Sequence, residues 1–269
     1  MSDLIAHAEN LWLAIEPTLP GFTVEILPTV DSTNSELMRR ARAGLMEPLL
    51  LAAEQQMAGR GRMGKAWHSA AAGQSLTFSM AMPLAPADWS GLSLAVGVSV
   101  AEALHPDVRL KWPNDLWFQG RKLGGILVET AHTGQSAGAP RMVVAGIGIN
   151  IARPVAARLP VPDAGASAAM APVSPAGLAE ICVGQTAGET LEAVAPALAR
   201  DLQRFAAHGF NAFADRFAQR DALVGLAVKL SDGREGLALG VDATGALQLR
   251  LANHDTVSVT SAEVSVRPC

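Results

Sequence analysis

Residues 59–67 read Gly59-Arg60-Gly61-Arg62-Met63-Gly64-Lys65-Ala66-Trp67, which sets three glycines and three cations on one short ribbon. Glycine reaches positive φ without steric cost, so such a ribbon can turn its main-chain N–H groups toward an anion. Guanidinium groups add bidentate hydrogen bonds suited to phosphate and carboxylate oxygens. The ribbon also contains G-x-G-x-x-G, which binds dinucleotides when a strand precedes it and a helix opens on it. Leu49 to Gln56 supplies the strand. The residues after Gly64 show no apolar stripe at helical period and are broken by Gly73, so the helix is missing. The chemistry expected here is a loop that closes over a phosphorylated ligand.

Three other stretches carry polar groups in telling places. Asp31-Ser32-Thr33-Asn34 precedes the helical pattern Ser35 to Ala41 and supplies an N-cap. Four polar residues in a row also offer hydroxyl and amide groups to a small polar ligand. In Lys111-Trp112-Pro113-Asn114-Asp115-Leu116, Pro113 removes a ladder donor and pushes Trp112 into extended geometry. The strand is therefore expected to break there, with Asn114 and Asp115 turned toward a site. Gln119-Gly120-Arg121 is a turn signal, and Lys122 to Glu129 returns as a strand that brings Lys122 close to the break. Gly124-Gly125, and then Gly146 and Gly148 within Met142 to Asn150, suggest a ligand lying against the sheet.

The elements that must position these groups follow from periodicity. Residues 4–16 read as a short helix and Thr23 to Leu27 as a strand. Ser75 to Ala81 alternates polar and apolar, and Leu92 to Leu104 is apolar nearly all round, as in a buried helix with Gly97 at a close crossing. A polar loop is expected over 133–140 and an Ala/Pro-rich surface connection over 153–177. Leu178 to Ala222 is helical, with Leu191, Leu198, Leu202, Phe205, Phe210, Phe213 and Phe217 as apolar positions and Pro196 as a kink or boundary. Ala227 to Leu230, Gly236 to Val241, Ala246 to Leu251 and Thr256 to Val259 are short strands separated by turns. Their spacing implies a small β-barrel of roughly 50 residues.

Composition narrows the functional class. The chain has 269 residues, 49% of them hydrophobic, enough for one large domain and a small one. A net charge of −4 argues against a broad nucleic-acid-binding face, so local positive charge is aimed at a small anion. Met1-Ser2-Asp3-Leu4 has no signal-peptide pattern, and no apolar run is long enough to span a bilayer. Cys182 and Cys269 make neither a disulfide framework nor a metal set. The expectation is a reduced, soluble, cytoplasmic protein.

Taken in order, the glycine loop with Trp67, Lys111 to Leu116, Lys122 to Glu129 and Gly146-Ile147-Gly148-Ile149-Asn150 resemble the motifs of biotin–protein ligases. The resemblance runs from about Thr29 to the C-terminus. It implies an α+β fold: a mixed-sheet catalytic domain resembling class II aminoacyl-tRNA synthetases over 1–221, then a small SH3-like β-barrel over 222–269. It implies that biotin and ATP form biotinyl-AMP and pyrophosphate, after which a lysine of a biotin carboxyl carrier domain displaces AMP. By the same resemblance Ser32, Thr33, Asn34 and Gln56 contact biotin, and Arg60, Gly61, Arg62 and Gly125 lie at biotin and the adenylate. Lys122 and Arg62 are the catalytic cations. Trp67, Asn114, Asp115 and Asn150 belong to the nucleotide region. Mg²⁺ would enter with the substrate phosphates, with Asp115 as a candidate ligand, and no prosthetic group is expected. The implied partners are the carrier protein and, at sheet edges, a second copy of the chain, but neither DNA nor membrane.

Two departures from the family pattern stand out: Met63 and Lys65 occupy positions where many relatives carry arginine. Few residues precede the strand at Thr23, so no DNA-binding repressor domain is expected there. A lipoate-specific ligase of the same architecture and a biotin sensor without catalysis are the alternatives. Arg62 and Lys122 speak against the sensor, since biotin alone does not require phosphate-facing cations.

Overall fold

The computed structural model describes residues 2–132, 139–154, 174–260 and 266–268. Most of the expected loop over 133–140 and connection over 153–177 lies outside these residues, as does Cys269. The chain begins α1 (Asp3–Ile15), β1 (Thr23–Val30), α2 (Thr33–Arg42), β2 (Leu49–Gln56) and β3 (Ser75–Leu84). It continues α3 (Leu92–Leu104), β4 (Arg109–Lys111), β5 (Asp115–Phe118), β6 (Arg121–His132) and β7 (Arg141–Asn150). Helices α4 (Ala187–His208) and α5 (Ala214–Ala218) lead to β8 (Ala227–Leu230), β9 (Glu235–Val241), β10 (Leu247–Arg250), β11 (Thr256–Val259) and β12 (Val266–Pro268).

The first seven strands form one sheet in the order β1-β2-β3-β7-β6-β5-β4. Only β1 and β2 pair in parallel, with α2 as the crossover that parallel neighbours require. Strand β1 runs on past Pro28 to Val30, further than expected. As an edge strand it pairs with β2 alone, so a missing donor is tolerated.

Helix α2 covers one face of this sheet through Leu37, Met38 and Ala41, which pack on Leu49, Leu51, Ala81, Met142 and Val144. Helices α1, α3 and α4 cover the other face around Leu50, Phe78, Val98, Ile147, Leu198 and Phe205. Both faces of β3 are therefore covered, and its Ser75, Thr77 and Ser79 are buried. The alternation read from the sequence is real, but its polar side faces a site rather than solvent. Gly97 does mark a close crossing, since a Cβ there would stand 3.1 Å from Leu110 Cδ2. Pro196 neither ends nor bounds α4; buried Leu191, Val194, Leu198 and Leu202 keep its apolar stripe continuous across the proline.

Strands β8 to β12 form a second, antiparallel sheet in the order β11-β10-β9-β8-β12, one strand more than the four expected. Its turn at Gly245 meets the first sheet directly. The buried Trp112 donates its indole N–H to Gly245 O at 3.0 Å, and Leu110 N and O bond the main chain at Arg220 and Ala222. The result is an α+β molecule of a large mixed sheet followed by a small antiparallel one.

Candidate functional site

Parallel pairing of Val30 with Gln56 sets the C-terminal ends of β1 and β2 side by side. The N-terminus of α2 and the chain leaving β2 must then emerge together. That register brings Ser32, Thr33 and Asn34 to Gln56, although 22 or more residues separate them in sequence. Ser32 is the N-cap of α2, its Oγ accepting from Ser35 N at 3.4 Å. Gln56 Oε1 accepts from Thr33 N at 2.7 Å and lies 3.1 Å from Thr33 Oγ1. Ser32, Thr33 and Asn34 are almost completely buried, and buried polar groups persist only when bonded.

Across the sheet, pairing aligns Thr77, Gly148, Gly125 and Asp115 in one row, with Gly146 opposite Ser79 in the neighbouring row. The glycines make a trough on the α2 face. Asn34 and Trp67 lie against part of it, and Gly125, Gly146 and Gly148 also border the cavity described below. A Cβ on Gly146 would collide with Asn34 Oδ1, and one on Gly148 would stand 2.5 Å from Trp67 Cε2. Trp67 also borders Gly125, at 3.7 Å from the position of a Cβ there.

The glycine loop folds back on itself. Gly61 N donates to Lys65 O at 2.7 Å, Trp67 N to Gly59 O at 2.8 Å, and Arg60 pairs with Ala66. Arg62 to Gly64 form a single tight turn with Met63 in the left-handed region at φ 56°. No helix opens on the loop, as the rejection of a dinucleotide fingerprint requires. Arg62 is half-buried, and that burial pulls its guanidinium below the ordinary arginine value, partly offset by the Asp115 charge.

The strand break at Trp112-Pro113-Asn114, with its cis Trp112–Pro113 bond, separates β4 from β5 as expected. The β5–β6 hairpin returns Lys122 to it: Lys122 Nζ donates to Asp115 Oδ1 at 2.6 Å. Asn114 is tied to β6 twice, donating from Nδ2 to Ile126 O at 2.7 Å and accepting from Ile126 N at 3.0 Å.

All these groups border one cavity of about 240 Å³. Its lining holds Ser32, Thr33, Asn34, Gln56, Arg60, Gly61, Arg62, Trp67, Asn114, Asp115, Lys122 and Gly125. Of the residues given site roles by the family resemblance, Asn150 alone is not among them. Its amide Nδ2 donates to Ala176 O at 3.0 Å, so it anchors the segment following residue 173.

Three further groups belong with the site. Ser79, fully buried in β3, lies 2.8 Å from Thr33 Oγ1 and donates to Asn34 Oδ1 at 3.1 Å. Asn34 Nδ2 in turn donates to Glu129 Oε2 at 2.6 Å. Lys111 also lines the cavity, its ammonium 4.6 Å from the centre of the Trp117 ring. The β3 alternation was the signal for Ser79; Glu129 closes a run of apolar residues and looks like an ordinary strand end.

A family model described as the biotin/lipoate A/B protein ligase family matches residues 26–150. A second, described as the biotin protein ligase C terminal domain, matches residues 227–267. The chain is 46% identical over 141 residues to the bifunctional ligase/repressor BirA of Escherichia coli, a match spanning 50% of this chain and 42% of that protein. It is 35% identical over 236 residues to the biotin–[acetyl-CoA-carboxylase] ligase of Paracoccus denitrificans, covering 84% of this chain and 93% of that one. Among solved structures, the biotin protein ligase from Aquifex aeolicus in complex with biotin and ATP superposes with a TM-score of 0.70 at 27% identity. That superposition covers 91% of this chain and 99% of the Aquifex chain.

Proposed function

This chain belongs to the biotin–protein ligase family, and from that premise we propose that it activates biotin with ATP and transfers it to a carrier protein. The observation that carries the proposal is the meeting of three groups at one cavity: the polar cluster Ser32 to Asn34 with Gln56, the Arg60–Arg62 loop, and Lys122. A biotin carboxylate and a triphosphate repel each other, so joining them calls for cations fixed at the junction.

In the first step a carboxylate oxygen of biotin bonds to the α-phosphorus of ATP, and the bond from that phosphorus to the pyrophosphate oxygen breaks. Biotinyl-AMP and pyrophosphate result. Lys122, held by Asp115, presents a point charge to the α-phosphate as negative charge builds there. Arg62, half-buried at the same cavity, adds a guanidinium whose planar fork suits the phosphate oxygens. In the second step a lysine amine of a carboxylase carrier domain attacks the acyl carbon, AMP leaves, and the amine gives up a proton. Neither step needs a nucleophile from the protein.

Mg²⁺ bound with ATP would neutralise phosphate charge. Asp115, the one carboxylate among the described lining residues, is where this chain would hold it. No cluster of three or more His, Cys, Asp or Glu among the described residues could hold an ion, so the substrate's own oxygens would complete its shell.

We assign residues 1–221 to the biotin- and ATP-binding unit and 222–269 to the C-terminal unit, a division that the two family matches support. The proposal extends to a homodimer joined at sheet edges, tested by sedimentation velocity of the pure chain. No helix among the described residues is long and apolar enough to cross a membrane.

The decisive experiment incubates pure protein with ATP, Mg²⁺, biotin and a carrier domain, then weighs the carrier. A mass gain of one biotinyl group is expected. Pyrophosphate exchange into ATP that depends on lipoate and not on biotin would transfer the assignment to the lipoate branch of the family.

A further inference from the structure

A chain of side-chain contacts crosses the cavity floor from Gln56 through Thr33, Ser79 and Asn34 to Glu129, and from there to Arg60. Resting on the biotin-adenylating reading of that cavity, we propose that Glu129 is a positioning residue with two roles. It sets the hydrogen-bond polarity of the biotin subsite, and it draws the glycine loop toward α2.

The first role follows from what each group can donate. An ionised carboxylate only accepts, whereas a carboxamide can present either its oxygen or its NH₂ to a neighbour. Glu129 Oε2, 2.6 Å from Asn34 Nδ2, therefore fixes the amide with Nδ2 outward and Oδ1 against Ser79 and Gly146. Ser79 Oγ commits its one proton to Asn34 Oδ1 at 3.1 Å. The 2.8 Å contact between Thr33 and Ser79 must then be donated by Thr33. Gln56 Oε1, at 3.1 Å from Thr33 Oγ1, is served instead by Thr33 N at 2.7 Å. Thr33 Oγ1 is left with lone pairs and no proton to offer, an acceptor at the cavity wall. Thr33, Asn34 and Ser79 are 3%, 3% and 0% exposed, so reversing the order would leave largely buried polar groups mismatched.

The second role uses the other oxygen. Glu129 Oε1 stands 3.8 Å from Arg60 Nη2, while Arg60 Nη1 donates to Ser35 Oγ at 3.4 Å. Arg60 opens the loop that carries Arg62, so one carboxylate joins the cavity floor to the loop above it.

Two variants separate these roles in the full chain. Glu129→Gln keeps an acceptor for Asn34 but removes the charge facing Arg60, and Glu129→Leu removes both. Calorimetric titration with biotin should give a dissociation constant raised about tenfold or more for Glu129→Leu, the usual consequence of a buried donor left unpaired. The KM for biotin should rise in step while the KM for ATP holds. Glu129→Gln should recover most of that loss, and its residual effect should vanish in an Arg60→Ala background, because the two groups act as a pair.

Unaltered biotin affinity in Glu129→Leu would overturn the inference, as would an equal rise in both KM values. Should Glu129→Leu fail to fold, additive effects of Glu129→Gln and Arg60→Ala would overturn it just as well. These results require a wild-type protein that forms biotinyl-AMP. A wild type without biotin-dependent adenylate formation would sink the ligase reading itself, a separate failure.

Discussion

Lys122 Nζ and Asp115 Oδ1 are 2.6 Å apart across the β5–β6 hairpin, with the lysine side chain 43% exposed and the aspartate 20%. A pair this open to water adds little to stability, about 1 kcal/mol at most. Its consequence is geometric, because the carboxylate holds the flexible lysine stem at the cavity.

Lys122→Ala should therefore lower single-turnover biotinyl-AMP formation by about two to three orders of magnitude while leaving the melting temperature nearly unchanged. Asp115→Asn should give a smaller loss, since the charge remains but its anchor does not. A rate for Lys122→Ala close to wild type would remove Lys122 from the chemistry.

Trp67 packs its indole against Gly148, with Cε2 2.5 Å from where an alanine Cβ would stand, and its buried indole N–H has no hydrogen-bond partner among the described residues. Backbone at Gly148 is held by pairing on both sides, so the indole must be what moves in Gly148→Ala. The expected outcome is a changed tryptophan emission and a raised KM for both substrates, with the sheet intact by circular dichroism. An unchanged emission spectrum would show that Trp67 does not rest on Gly148 in solution.

Much of this was legible in the sequence because the signals were local. Pro113 announced the strand break and Gln119-Gly120 the turn, and a hairpin of that kind can bring Lys122 back close to the break at Asn114. What stayed hidden depends on pairing between distant strands. Glycines 146 and 148 advertised space, yet only the fold shows that Asn34 and Trp67 occupy it. Ser79 lies on the polar side of an alternating strand and Glu129 closes an apolar run, and in both places a polar residue reads as a solvated face. Asn34 of α2, which bonds both of them, lies far upstream in the chain. The Nδ2 bond from Asn150 to Ala176 O was equally hidden, because the segment around Ala176 lies well downstream in the chain.

Helix α2, which carries the polar cluster, is braced by Arg39 bridging Asp31 and Glu36 and by Arg40 bridging Glu25 and Glu36. The Arg39 hydrogen bond holds the Asp31 carboxyl below its ordinary 3.8, and chiefly the Arg40 hydrogen bond holds Glu36 below 4.5. Both groups bind protons less readily folded than unfolded. Their contribution is thus present above those ordinary values and is lost as pH falls through 4.5 and 3.8 toward the lowered folded ones. Asp221, raised by burial, has the opposite sign, its penalty easing as pH falls, and it is common to both proteins compared. The melting temperature of wild type should fall as the solution is acidified through this range, and Arg39→Met should show a shallower fall. Parallel curves for the two would refute the brace.

Arg62 faces Asp115 from the tip of the glycine loop, half-buried, with burial as the main influence pulling its pKa down. A planar guanidinium at the cavity suits phosphate oxygens in particular, so its strongest contact should be with the adenylate rather than with biotin. Charge-assisted hydrogen bonds of this kind contribute about 1.5–3 kcal/mol. Arg62→Ala should accordingly release biotinyl-AMP at least about tenfold faster, with biotin affinity in the absence of ATP little altered. Arg62→Lys keeps the charge but not the planar fork, and should fall between the two. Dissociation of preformed biotinyl-AMP, followed by chase with excess biotin, reads this directly. Equal off-rates for wild type and Arg62→Ala would mean that the loop shields the adenylate without gripping it.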